Sequence, residues 1–212
     1  MYVGLGTGST SAHFIVALGQ RVREERLALT CVASSLRSEA LAQEHGLTLA
    51  PLVRGRKIDL AVDGADEVSP ELYLTKGGGG ALLREKILAY AARKFVVIVD
   101  SAKAVNRLGA FPLPLEVLPM AWAVVADAVT DLGGLVSLRE RDAAPFRTDQ
   151  GNYVLDCRLG EILDPPALAQ KLEAIPGVLG HGLFVDLADV VIFGQEGGNL
   201  VRERRGPLRK RA

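Results

Sequence analysis

Four short apolar runs in the first half of the chain each break off into a turn of small and polar residues. The runs cover residues 2–5, 27–33, 58–62 and 95–99. They end in Gly6-Thr7-Gly8-Ser9-Thr10, Ser34-Ser35, Asp63-Gly64-Ala65-Asp66 and Asp100-Ser101-Ala102-Lys103 respectively. The segments between them carry helical signals. Ile15, Leu18 and Val22 recur at helical spacing behind Ser9 or Thr10 as a cap, a second helix over 36–44 stops at Gly46, and a third spans 81–93. Strands alternating with helices imply a mostly parallel sheet covered on both faces. Ligands of such sheets bind beyond the carboxyl ends of the strands, so the polar turns are expected to converge on one rim.

The second half has a different rhythm. Pro112 and Pro114 break the chain before a strand at 115–118, which reads as a domain crossing. A helix over 121–132 ends at Gly133-Gly134, strand-like pieces flank turns at 139–142 and 149–152, a helix follows near 166–174, and strands are expected at 182–185 and, as the last of the chain, at 190–193. The order β-α-β-β-α-β predicts a small split βαβ unit. The expected fold is therefore α/β, with a parallel-sheet Rossmann-like domain (1–111 plus 186–212) and an inserted ferredoxin-like α+β domain (112–185); the smaller domain is separately expected to be oligomer-forming. The basic stretch 202–211 reads as a frayed tail.

Composition narrows the function classes. The 25 basic and 25 acidic side chains cancel, which gives no electrostatic case for nucleic acid or an anionic membrane. No apolar run reaches the roughly 20 residues that span a bilayer, and no signal peptide is visible. Cys31 and Cys157 sit inside apolar runs and read as buried free thiols of a cytoplasmic protein. His13, His45 and His181 are scattered without metal-ligand spacing, so neither a metal nor a cofactor is expected.

The densest chemistry lies in Asp63-Gly64-Ala65-Asp66-Glu67 and Lys76-Gly77-Gly78-Gly79-Gly80-Ala81-Leu82-Leu83-Arg84-Glu85-Lys86. Carboxylates, an ammonium group and consecutive glycines that let the main chain approach a ligand are suited to proton transfer on a small polar substrate. The Gly6–Thr10 turn, between a strand and a helix start, reads either as a phosphate site or as a simple tight connection. It lacks the Gly-Lys-Ser/Thr ending of a nucleoside-triphosphate loop, and Ser9 stands where a dinucleotide fingerprint needs its third glycine. Lys103 reads as a second phosphate charge or as a surface lysine. Glu85 is expected to face away from a packing stripe of Leu83, Ile87, Tyr90 and Ala91. Its own-face neighbours are Ala81, Ala89 and Ala92, so it reads either as a solvent-facing residue or as a covered carboxylate whose pKa is raised toward that of a general base.

Taken together, Val3-Gly4-Leu5-Gly6-Thr7-Gly8-Ser9-Thr10 and the two runs above closely resemble ribose-5-phosphate isomerase of type A. Phe111-Pro112-Leu113-Pro114-Leu115-Glu116-Val117 and Ala174-Ile175-Pro176-Gly177-Val178 are similar to the same family, and the likeness extends to about Gly194. The resemblance implies a metal-free, cofactor-free, homodimeric enzyme that interconverts ribose 5-phosphate and ribulose 5-phosphate through an enediolate. It implies Glu85 as the proton shuttle, Asp63 as the acid–base group at the sugar oxygens, Asp66 as an orienting group and Lys76 as the oxyanion stabiliser. Thr7, Gly8, Ser9, Thr10, Gly64, Ala65, Gly77, Gly78, Gly79 and Lys103 are implied as substrate and phosphate contacts. A non-catalytic sugar-phosphate-binding module would not need Asp63, Lys76 and Glu85, and a coenzyme-A-transferase-like enzyme on a related sheet would need a glutamate nucleophile. Family members carry a leading helix with a lysine near the phosphate, and a form without it is expected to be a less stable and weaker catalyst.

Overall fold

A computed structural model describes residues 1–204. In chain order the elements are β1 (Tyr2–Leu5), α1 (Ser9–Glu25), β2 (Thr30–Ala33), α2 (Leu36–Glu44), β3 (Ile58–Asp63), β4 (Glu67–Val68), β5 (Leu74–Thr75), α3 (Leu82–Ala91) and β6 (Ala92–Asp100). Then come β7 (Leu113–Val117), α4 (Trp122–Asp131), β8 (Leu135–Leu138), β9 (Glu140–Arg141), β10 (Ala144–Pro145), β11 (Tyr153–Arg158), α5 (Pro165–Glu173), β12 (Val178–His181), β13 (Leu183–Phe184), β14 (Val190–Gln195) and β15 (Gly198–Glu203). The chain divides into two compact units: residues 1–64, 84–101 and 187 onward, and residues 65–83 with 102–186. Residues 65–83 and 102–111, read from the sequence with the first domain, group with the second unit.

The first unit is built on a six-stranded sheet in the order β15-β14-β6-β3-β1-β2. β2, β1, β3, β6 and β14 run parallel, in registers such as Leu5↔Ala33, Leu5↔Val62 and Asp63↔Val97. These registers bring Gly6, Ser34 and Asp63 to one edge. Every residue of β1 is buried, as expected of a parallel strand covered on both faces. Val3, Leu5, Cys31 and Ala33 pack with Ile15 of α1 and Ala42 of α2 in one core cluster.

Three expectations fail in this unit. The N-cap of α1 is Gly8 at φ 105°, with no side-chain cap from Ser9 or Thr10. On α3 the buried positions are Leu82, Glu85, Leu88 and Ala89, while Ile87 and Tyr90 are exposed. The expected stripe is thus rotated, and Glu85 lies on the packed face. β14 is not the last strand, because β15 pairs antiparallel with it through Val190↔Glu203 to Gln195↔Gly198. All of β15 is exposed, so no apolar alternation marked it in the sequence. Arg202 and Glu203 belong to this strand, and the rest of the expected tail, from residue 205, lies outside the described residues.

The second unit carries an antiparallel sheet in the order β12-β7-β11-β8, with α4 and α5 as its connections. This is the split βαβ arrangement, but its fourth strand is β12 at Val178–His181, whereas the strand expected at 182–185 yields only β13, which pairs with β5 in another sheet. Its core joins Leu113, Leu115 and Val117 of β7 to Leu155 and Cys157 of β11, Val125 and Val129 of α4, and Leu172 of α5. Pro114 lies inside β7 rather than before it. Its missing N–H falls just past the last β12 pair, His181↔Leu115, while its carbonyl accepts from Gly182 N–H at 2.7 Å. A small sheet, β13-β5-β4, and a hairpin, β9–β10, complete the unit. The short β4 and β5 carry no sequence signal of their own.

Candidate active site

In the first unit the rim is organised around Asp63, the last residue of β3. Its Oδ1 accepts from Thr7 N–H at 3.0 Å, Ser11 Oγ–H at 2.9 Å and its neighbour Gly64 N–H at 2.8 Å. Three donors on one oxygen fix the carboxylate, which is buried. Gly6 N–H continues the ladder to Val62 O at 2.8 Å. A Cβ on Gly6 would lie 2.1 Å from Asp63 Oδ1, so the approach of this turn to the carboxylate requires glycine.

Thr7 is tied down by hydroxyls from the end of β2 and the start of α2. Its Oγ1 lies 2.7 Å from Ser34 Oγ, donates to Ser35 Oγ at 2.8 Å, and lies 3.3 Å from Ser38 Oγ. Ser38 in turn donates to Gly6 O at 2.7 Å, and Ser35 caps α2 through Ser38 N–H. Beyond Thr7, the amides of Ser9 and Thr10 open α1, and first-turn N–H groups have no acceptor within their own helix. Such a group of donors at the positive end of a helix suits an anion.

Glu85 stands in the first turn of α3 and is only 5% exposed. A glutamate is seldom this buried without a specific reason. Ala89 and Ala92, which share its face, are also buried, so the face read from small neighbours was the covered one.

In the second unit, Asp66 holds the strand turn and the glycine run. Its N–H donates to Thr75 O at 2.8 Å, and its Oδ2 accepts from Gly78 N–H at 2.9 Å. Lys76 is buried, its backbone N–H donates to Gly182 O at 2.9 Å, and its Nζ lies 5.5 Å from the centroid of the Phe184 ring. Gly77 (φ 107°) and Gly80 (φ 80°) turn the chain in the left-handed region, and Gly80 N–H closes the turn on Gly77 O at 3.0 Å. Gly78 and Gly79 are left exposed between them. Gly64 and Ala65 are half-buried. Lys103 ends a 3-10 turn after β6 and is half-buried. The chain immediately after it is held to β4 by Val105 N–H on Val68 O at 3.0 Å.

Four participants escaped the sequence reading. Ser11 and Ser38 are buried hydroxyls on helix faces, and a Ser35-to-Ser38 capping pattern marks only the second of them. Glu67 is buried and accepts from Gly109 N–H at 3.0 Å and Phe111 N–H at 2.9 Å, tying the proline-flanked entry of β7 to β4. Arg139 donates to the glycine turn from sixty residues away in sequence, a distance no local pattern can bridge. Among the described residues no group of three His, Cys, Asp or Glu side chains is placed to hold a metal ion, and no helix is long and apolar enough to cross a membrane.

Comparisons with known proteins identify the family and the fold. Residues 30–198 match the family model of ribose 5-phosphate isomerase A (phosphoriboisomerase A). The chain is 48% identical to a ribose-5-phosphate isomerase A of Ruegeria sp. (strain TM1040), over 94% of this chain and 79% of the relative. It is also 48% identical to the protein of that name from Methanothermobacter thermautotrophicus, over 92% and 87%. Among solved structures, ribose 5-phosphate isomerase A from Methanocaldococcus jannaschii superposes with a TM-score of 0.92 at 40% identity, covering 96% of this chain and 91% of that one. A D-ribose-5-phosphate isomerase in complex with phospho-erythronic acid superposes with a TM-score of 0.93 at 41% identity and the same coverage.

Proposed function

This chain belongs to the ribose 5-phosphate isomerase A family, and from that premise we propose how its side chains interconvert ribose 5-phosphate and ribulose 5-phosphate. Glu85 removes the proton from C2 of the open-chain aldose and returns it to C1. Asp63 exchanges protons at the sugar oxygens, first to open the ring and then to move one proton from O2 to O1. The aldehyde carbon is reduced as the neighbouring carbinol carbon is oxidised, so the reaction balances without a redox partner or metal. Lys76 stabilises the negative charge on the enediolate oxygens, and Asp66 orients the remaining hydroxyls. The turn at Thr7, Gly8, Ser9 and Thr10, with Gly64, Ala65, Gly77, Gly78, Gly79 and Lys103, supplies phosphate and hydroxyl contacts.

The observation that carries this reading is the pair of buried carboxylates, Asp63 and Glu85. Asp63 is locked by three donors and suits a group that must act at a fixed position. Glu85 rides on a helix packed by small residues, sheltered from competing water. Phospho-erythronic acid, held by a relative 41% identical, is a phosphorylated sugar acid of the kind such a site would accept. The two buried free thiols support a cytoplasmic setting, and the exposed apolar Met120, in the 3-10 turn before α4, with Trp122 and Val124 on α4, support a homodimer.

Glu85→Gln tests the assignment. Gln keeps the size and hydrogen bonding but takes no proton, so turnover should fall by about 10²–10⁴-fold with substrate affinity nearly intact. Exchange of the C2 proton with deuterated solvent, followed by NMR with EDTA present, should fall in step. Turnover near the parent's would remove Glu85 as the base.

A further inference from the structure

The mechanism uses Asp66 and the glycine turn but does not explain what holds that turn, and the geometry points to Arg139. We infer that Arg139 is a positioning residue that sets the direction of the Asp66 carboxylate and of the Gly79 N–H without itself touching substrate. This rests on the reading of Asp66 and the 77–79 amides as substrate contacts.

All three guanidinium nitrogens are engaged. Nε donates to Asp156 Oδ2 at 2.9 Å and Nη2 to Asp156 Oδ1, a two-point fork on the central strand β11. Nη1 donates to Gly77 O at 3.0 Å and to Gly78 O at 3.1 Å. The arginine side chain is 15% exposed. Its backbone is held as well, with its N–H on Val154 O and its carbonyl accepting from Phe146 N–H, both at 2.8 Å. The Phe146 ring closes against the turn, since a Cβ on Gly80 would lie 2.5 Å from it. Arg139 is therefore a rigid post standing on the sheet, aimed at two consecutive carbonyls.

Trans peptide geometry turns this into an orienting device. In a planar trans unit the C=O and the following N–H point in opposite directions. Pinning Gly77 O therefore sets Gly78 N–H, which is the donor to Asp66 Oδ2 at 2.9 Å. Pinning Gly78 O sets Gly79 N–H, which must point away from Arg139 on the exposed side of the turn. Glycines have the most freedom to rotate these planes, so a run of them needs an external anchor to present a fixed set of donors. A lysine could not replace the arginine here, because one ammonium cannot hold a forked carboxylate and two carbonyls in fixed directions.

The test uses Arg139→Lys, Arg139→Ala and Asp156→Asn in the full chain, with melting temperature measured for each. Arg139→Lys should lower kcat/KM by about 10²-fold, the cost of misplacing groups around a reacting substrate, with the fall mainly in kcat. Asp156→Asn, which leaves the guanidinium in place but loosens its fork, should show a smaller fall in the same direction. Free guanidinium added to Arg139→Ala should restore part of its turnover, an effect that a merely structural role would not produce. Unchanged kcat/KM in a folded Arg139→Lys overturns the inference. If that variant does not fold, unchanged kinetics in Asp156→Asn overturn it instead. Glu85→Gln, assayed alongside, separates the two readings. Full activity there sinks the site assignment itself, whereas loss there with a normal Arg139→Lys sinks only the positioning role.

Discussion

The two units solve the same problem, holding a glycine turn still, by opposite means. In the first unit the turn after β1 is fixed by the neighbouring strand ends: Asp63 of β3 takes its amide, and serines after β2 take its hydroxyl. The buried acids on the sheet of that unit stand at strand ends, Asp63 closing β3 and Asp189 just before β14, where it accepts from Phe95 N–H at 2.7 Å, while the third, Glu85, lies on a helix. In the second unit the turn after β5 is held by Arg139 and Asp156, which stand on the antiparallel sheet itself, and Glu116 lies fully buried inside β7. Parallel strands buried on both faces leave little room for charge except at their ends. An antiparallel sheet can carry a polar network along its strands and aim it at a loop.

The largest effect that would sharpen this contrast comes from placing the same methyl group in each turn. Gly6→Ala drives a Cβ to within 2.1 Å of Asp63 Oδ1 and 2.6 Å of Asp63 Cα. Both carboxylate and backbone must move, so activity should fall by about 10²-fold or more and the melting temperature should drop. Gly78→Ala meets only side-chain atoms, at 2.9 Å from Asp66 Oδ1 and 3.0 Å from the Phe111 ring, with no left-handed backbone to strain. It should cost far less stability while still reducing turnover. Equal losses of stability in the two variants would show that the turns are held alike.

A smaller effect concerns the charge inside the second sheet. Glu116 is desolvated, which raises its pKa, while Asn152 Nδ2–H and Thr148 Oγ–H donate to Oε1 and partly offset that rise. A raised carboxyl holds its proton more tightly in the folded state than in the unfolded one. Folding stability therefore declines as pH rises from the ordinary carboxylate range, about pH 4, through the folded pKa, and the penalty is fully present above it. Glu116→Gln keeps an acceptor for both donors and removes the charge. The variant should melt higher than the parent at mildly alkaline pH, with the gap closing toward acid. A variant less stable than the parent at alkaline pH would show that the carboxylate is fully compensated where it lies.

The smallest signal reads the units separately, because each contains one cysteine. Burial pushes the Cys31 thiol up to about 11 and the Cys157 thiol up to about 12. Neither should react with a thiol-specific disulfide reagent at neutral pH in the native protein, since the thiolate is the reactive form. Under mild denaturant, mass spectrometry of the labelled peptides reports which unit opens first. Fast native labelling of either thiol would contradict its burial.

Much of the fold and of the candidate site was legible in the residues. Strand-like runs that end in Gly6, Ser34 and Asp63 place the rim, because parallel neighbours in register bring their ends together whatever the loops do. The order of strands and helices in the second half pointed to the split βαβ sheet but set its closing strand at 182–185 instead of Val178–His181. Local turn chemistry marked Asp66, Lys76 and the glycine run. Harder to read were features whose signal is spread over the chain or absent from it. The face of α3 was misjudged because Leu83, Ile87 and Tyr90 looked like a packing stripe, and only the surrounding structure decided that Glu85 and its alanines would be covered. β15 carries no buried residue and so leaves no period to detect.

What the sequence by itself determined was the rough placement of the groups proposed to react, since backbone geometry and hydrophobic period act over a few residues. Only the tertiary structure decided what holds those groups in direction. Arg139 reaches Gly77 and Glu67 reaches Phe111 across 62 and 44 residues, and pairings over such separations depend on how sheets and turns pack, which no local spacing encodes.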